Sequence, residues 1–260
     1  MGGRRGLSAH GQRFAGQVAI ITGGSSGIGR ETASGLLAGG ARVAIGDIRE
    51  PQELSENDRI LFVSADMRRA RDCRELVDRT LERWGRVDIL FNNVGTPGRL
   101  PRPPLVELPE EDWDDTIAIN LKSVYLCSKA VVPHMIEQGG GVIVNNASML
   151  GIVGLPESAA YCASKGGVVL LTRSMALELI EHNIRINCVC ASFIDTPMFR
   201  DWLKLQPDPE AATRECVSKL PIGRLGAPLE VAKAVLFLAS EDSSYLVGHA
   251  LYVDGGYLAQ

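Results

Sequence analysis

Tyr161 and Lys165 stand four residues apart in a stretch, Ala159 to Glu181, whose apolar spacing predicts a helix, so the two side chains project from one face. A phenol in such a place can take a proton from a hydroxyl or give one to a carbonyl oxygen. Its free pKa of about 10 makes it a poor base at neutral pH, and an ammonium one turn away lowers that value. Ser148 follows an apolar run, Val142 to Asn145, and its hydroxyl can donate to an oxygen on which charge builds. Together these groups suit proton transfer to or from an alcohol or carbonyl oxygen. A second cluster lies far upstream. Thr22-Gly23-Gly24-Ser25-Ser26-Gly27-Ile28-Gly29 follows the first apolar run and opens the first helical pattern. Glycines there let a pyrophosphate approach the main chain, and the free N–H groups of the following helix hold its charge. Asp47 closes the second apolar run, where a carboxylate can bond ribose hydroxyls and repel a 2′-phosphate. That favours NAD over NADP, although Arg49 stands two residues on and could accommodate the phosphate.

The elements that must position these groups are legible as an alternation. Val18–Ile21, Arg42–Ile45, Ile60–Ser64, Val87–Phe91, Val142–Asn145, Arg185–Val189 and Ala250–Val253 read as strands, nearly all apolar, as buried parallel strands are. Helical patterns cover Ile28–Ala38, Arg71–Trp84, Asp112–Glu137, Ala159–Glu181 and Pro228–Ala239. The expected fold is a single doubly wound α/β sheet of Rossmann type, about seven parallel strands with helices on both faces. One domain is expected over residues 14–260, after a disordered tail at 1–13, with a substrate loop at about 192–215.

In the same order along the chain come the Gly-rich turn, Asn92-Asn93-Val94-Gly95, Asn120, Ser148 and Tyr161-x-x-x-Lys165, with Asp254-Gly255-Gly256 near the end. That series resembles the short-chain dehydrogenase/reductase family, in its NAD-type alcohol dehydrogenase and ketoreductase branch, over about residues 14–260. The resemblance implies cofactor contacts at Gly23, Ser25, Ser26, Gly27, Ile28, Gly29 and Asp47, with Asp66 and Met67 against the adenine. It further implies that Asn93, Val94 and Gly95 line the cofactor, Lys165 bonds the nicotinamide ribose, and Ile194 and Thr196 lie at the nicotinamide end. Asn120 would hold a water that links Lys165 to solvent. The long helices around Asn120 and Tyr161 would form a dimer interface, and Leu251–Leu258 a second one, giving a homotetramer. Ala191-Ser192 stands where the family has Pro-Gly, which leaves a more permissive turn, and Asn93-Val94-Gly95 is a mild variant of Asn-Ala-Gly.

Substrate should meet Met149–Ser158 and the segment from Ile194 to Pro209. Leu150, Ile152, Val153, Leu155, Met198, Phe199 and Trp202 suggest an apolar lining without a cationic cluster, suited to an apolar or cyclic secondary alcohol or ketone. Arg200 and Lys204 read as solvated. Two alternatives stand beside this reading. One is an NADPH-dependent 3-oxoacyl or ketone reductase, and the other a non-catalytic dinucleotide-binding protein. Over 260 residues the net charge is −4, which argues against a nucleic-acid surface. The six cysteines and four histidines lack ligand spacing, so no metal is expected; Cys188 and Cys190 read as small buried residues of one sheet face. No apolar run suggests export or a membrane span, and a cytoplasmic setting is expected.

Overall fold

The computed structural model describes residues 12–51 and 58–260, so most of the expected tail lies outside the described residues. Arg13 does not behave as a tail. It pairs with Asp242, bonds the Ser240 hydroxyl at 2.5 Å and lies over the ring of buried Phe14.

The seven apolar runs become β1 (Val18–Thr22), β2 (Arg42–Asp47), β3 (Ile60–Ser64), β4 (Ile89–Asn92), β5 (Gly141–Asn146), β6 (Ile184–Ala191) and β7 (Ala250–Val253). All pair in parallel in one sheet, in the order β3-β2-β1-β4-β5-β6-β7. The strands lack alternation because helices cover both sides. On one side α1 (Gly27–Ala38) and α8 (Pro228–Ala239) bury Leu36, Val231 and Val235 against Ile21, Phe91 and Val144. On the other, α2 (Ala70–Trp84), α4 (Ser123–Glu137) and α5 (Ala159–Leu179) bury Leu76, Met135 and Ala176 against Ile20, Leu90 and Ile143. The chain leaves β1 toward β2 and β3, then returns to β4 on the opposite side of β1. That reversal opens a crevice at the carboxyl ends of β1 and β4.

Two expectations about helices change. The pattern Asp112–Glu137 is not one α-helix but α3 (Glu110–Ile117), a π turn (Ala118–Lys122) and α4. A π turn widens the ladder by one residue, which a periodic apolar pattern does not reveal, and such turns recur at functional positions. The expected loop at 192–215 contains α6 (Pro197–Leu203) and α7 (Pro209–Ser218). Asp208 caps α7, its carboxylate accepting the Ala211 N–H at 2.9 Å, and Pro209 occupies the first turn.

A line of buried polar groups ties the sheet to the helices beneath the crevice. The Asn92 amide donates to Ser128 Oγ at 3.1 Å and to Asn145 Oδ1 at 2.9 Å, and Asn145 donates to Thr172 Oγ1 at 2.8 Å. β4, β5, α4 and α5 are thereby locked in register. Cys188 and Cys190 are fully buried on β6. No described helix is long and apolar enough to cross a membrane.

Candidate active site

The Gly-rich turn leaves β1 and enters α1 at the mouth of the crevice. Ser26 caps α1 without a side-chain bond, and the first turn holds no acidic residue, so its amide N–H groups face the crevice free of a competing carboxylate. Close packing needs Gly29, because a Cβ there would stand 2.2 Å from the Gly23 carbonyl oxygen. Asn93 holds the turn from the neighbouring strand, donating to Gly23 O at 2.8 Å, and its own Oδ1 accepts from Asn146 at 3.0 Å. Asp47 holds it from the other side: its carboxylate accepts the Ser25 and Arg49 N–H groups, each at 3.1 Å. Each Asp47 oxygen keeps a lone pair for a further donor. These residues fit the adenosine and pyrophosphate of a dinucleotide.

Further along the cleft lies the proton-transfer cluster. Tyr161 and Lys165 sit on α5, with the Lys165 Nζ 6.0 Å from the centre of the phenol ring. Ser148 follows β5, and its Oγ accepts the Leu150 N–H at 3.2 Å, which fixes the turn. That turn lies flat on α5 because Gly151 carries no side chain; a Cβ would come 2.6 Å from the Lys165 carbonyl oxygen. Lys165 is only 4% exposed and donates to the Asn146 carbonyl at 2.7 Å. Burial pushes its ammonium down to about 8. Burial also pushes the Tyr161 phenol above its ordinary 10, while the Ser148 hydroxyl and then the charge of Arg102 draw it back. The expected lowering of the phenol by Lys165 is not found: the groups that draw it down are Ser148 and Arg102, and desolvation dominates.

Asn120 lies in the π turn, fully buried, and does not line the cleft. Its Oδ1 accepts the Thr96 N–H at 2.8 Å, and its amide donates to Thr96 O at 3.0 Å and Ser164 Oγ at 3.1 Å. The side chain therefore clamps the strand-end loop to α5, one residue from Lys165.

One cleft of about 1300 Å³ joins the two clusters. Gly23, Ser25, Ser26, Gly27, Ile28, Asp47, Asp66, Asn93, Val94, Gly95, Ser148, Tyr161, Lys165, Ile194 and Thr196 all line it. Gly29 lies behind it as a packing position. Met67 departs from expectation: its side chain is 2% exposed and turned into the core against Cys127, so it presents no side chain to the cleft. The turn at Ala191-Ser192 is held without Pro-Gly. Ile194 bridges Gly226, whose N–H donates to Phe193 O at 3.0 Å, and Thr196 caps α6, its Oγ1 accepting the Phe199 N–H at 3.2 Å.

At the substrate end Leu150, Leu155, Met198, Phe199 and Trp202 line the cleft, whereas Ile152 and Val153 do not and are exposed. Arg200 and Lys204 point outward, paired with Asp195 at 2.6 Å and Asp201 at 2.7 Å. The lining also holds groups the sequence did not single out: Arg102, then Ala212, Glu215 and Cys216 of α7, and Lys219 just after it. The Asp208-Pro209 start signal could have revealed α7. Arg102 lies in a Pro-rich segment whose irregular spacing gave no such signal.

Residues 23–258 match the family model described as enoyl-(acyl carrier protein) reductase. The 3-oxoacyl-[acyl-carrier-protein] reductase FabG of Thermotoga maritima is 41% identical, over 94% of this chain and 98% of its own length. The cis-4-hydroxycyclohexanecarboxylate dehydrogenase of Sinomonas cyclohexanicum is 40% identical, over 96% and 99%. Among solved structures, levodione reductase superposes with a TM-score of 0.90 at 37% identity, covering 95% of this chain and 99% of that one. The chain belongs to the short-chain dehydrogenase/reductase family of oxidoreductases.

Proposed function

We propose that the protein transfers a hydride between NAD(H) and a secondary alcohol or its ketone, with an apolar or cyclic frame, and that Tyr161 is its acid and base. The observation that carries this reading is the single cleft joining Asp47 and the uncapped first turn of α1 to Ser148, Tyr161 and Lys165. Bound there, NAD(H) would supply the hydride acceptor or donor and, when oxidised, a positive charge beside the phenol. The phenol is protonated at neutral pH, so in reduction Tyr161 delivers its proton to the substrate oxygen. In oxidation Tyr161 takes the hydroxyl proton, and this direction speeds up as pH rises. Ser148 Oγ donates to the same oxygen and steadies the charge that builds on it. Lys165 orients the nicotinamide ribose, its ammonium donating to the ribose hydroxyls. Asn120 acts as a positioning residue, holding the Thr96 loop against α5.

Asp47 supports NAD over NADP, because a carboxylate at the end of β2 that lines the cleft can bond ribose hydroxyls and would repel a 2′-phosphate. A second reading, an NADPH-dependent reductase, draws support from Arg30, Arg49 and Arg68, which line the same cleft, and from the 3-oxoacyl reductase relative. Titration with NADH and NADPH decides between them. The mechanism is tested by Tyr161→Phe, which removes only a hydroxyl. Turnover is expected to fall by ~10²–10⁴-fold with NADH binding nearly unchanged. A variant that still turns over alcohols at near-normal rate would overturn the assignment.

A further inference from the structure

Arg102 is a cation at the substrate end without a partner among the described residues, and Glu157 across the same cavity likewise has none. It stands between Pro101 and Pro103. The rings fix φ on either side, and Pro103 holds Arg102 itself toward extended backbone, so the base of its side chain is stiff. Arg102 lines both the main cleft and a side cavity of about 140 Å³, and both spaces also include Leu155, Glu157 and Tyr161. Its Nε is buried with no hydrogen-bond partner, and its guanidinium forms no ion pair among the described residues. Glu157 shares the cavity without pairing to it. Neighbouring cations differ in this respect: Arg99 is paired with Asp112 at 2.9 Å and Lys219 with Glu215 at 2.8 Å. The charge of Arg102 also reaches the phenol, which it helps draw down. A buried charged donor without an acceptor is costly, and a planar guanidinium fork matches a carboxylate.

We propose that Arg102 is an anion anchor, and that the substrate is a secondary alcohol or ketone bearing a carboxylate that Arg102 holds while its reacting carbon faces Ser148 and Tyr161. The nature of the reacting group rests on the hydride-transfer reading; the anion site does not. The same frame can serve both ends. Leu155 and the aromatic side chains pack the apolar body, and the side cavity admits a small acidic head. A charge-assisted bond of this kind is worth on the order of 10- to 100-fold in affinity.

Calorimetric titration with cyclohexanecarboxylate and with cyclohexanecarboxamide tests the anchor without any turnover. The protein is expected to bind the carboxylate at least about 10-fold more tightly than the neutral amide. Arg102→Met should abolish that preference, and Arg102→Lys, which keeps the charge but not the fork, should retain part of it. Circular dichroism of both variants checks the fold. A preference unchanged in Arg102→Met, or no binding of the carboxylate by the unmodified protein, would overturn the proposal. Oxidation of 4-hydroxycyclohexanecarboxylate and of cyclohexanol separates the two readings. A carboxylate preference in binding without NAD-dependent turnover leaves the anchor and sinks the hydride-transfer reading. Turnover of cyclohexanol with no carboxylate preference does the reverse.

Discussion

Lys165→Met should make the protein more stable at neutral pH while destroying its proposed activity. Lys165 is 4% exposed, and burial lowers its ammonium from 10.5 to about 8. That gap is worth about 3 kcal/mol. The sign follows from proton counts. Below about pH 8 the amine is charged in both folded and unfolded chains, and the folded state carries the full burial penalty. Between about 8 and 10.5 the unfolded chain holds the extra proton, so stability rises with pH until the penalty is gone. Methionine has a similar length and no charge, so it can fill the same slot. It forfeits the bond to the Asn146 carbonyl, roughly 1.5 kcal/mol, which leaves the variant ahead by about 1–2 kcal/mol at neutral pH. Near pH 10 the order should reverse, because the penalty has nearly vanished and the lost bond remains. Urea unfolding of both proteins at the two pH values reads the difference directly. A stability gap that stays constant within about half a kcal/mol across that range would refute the reasoning.

Ser148→Ala should lower turnover by ~10²–10³-fold with little change in NADH affinity, measured by steady-state kinetics and fluorescence titration. Asp47→Ser should relax or reverse a preference for NADH over NADPH. An unmodified protein that binds NADPH more tightly would show the Asp47 assignment to be wrong. A homotetramer is expected from Tyr125, Leu170, Leu177 and Ile180, exposed on and just beyond α4 and α5, and from Tyr252 on β7; sedimentation at micromolar concentration showing a monomer would count against it.

Much of the fold was readable because parallel strands buried on both faces leave apolar runs that few other elements produce. Strand ends shifted by one or two residues, as at β4, which begins at Ile89 rather than Val87. The Gly-rich turn, Asp47, Ser148, Tyr161 and Lys165 were legible because each follows a strand or occupies one helix face. The remainder depended on tertiary context. The direction of the Met67 side chain is set by packing against Cys127, which no local pattern encodes. The rise in the Tyr161 pKa comes from burial, and helical spacing reports only the proximity of Lys165. Arg102 became visible as a site residue only once the folded chain brought the Pro-rich loop over Tyr161.

The packing of α1 against α8 has a consequence for how the chain is made. Gly35 on α1 lies so close to α8 that a Cβ there would stand 2.5 Å from Leu236, and Ala33 and Leu36 share one buried cluster with Val231 and Val235. The helix whose first turn faces the phosphate position therefore gains its outer support from residues synthesised about two hundred positions later. A nascent chain that has emitted β1, α1 and β2 holds the Gly-rich turn but exposes the apolar flank of its helix. The Gly-rich turn accordingly lacks that outer support until α8 docks, although it precedes α8 in the chain. Until α8 arrives, that flank is a surface for chaperones or for misassociation with another copy.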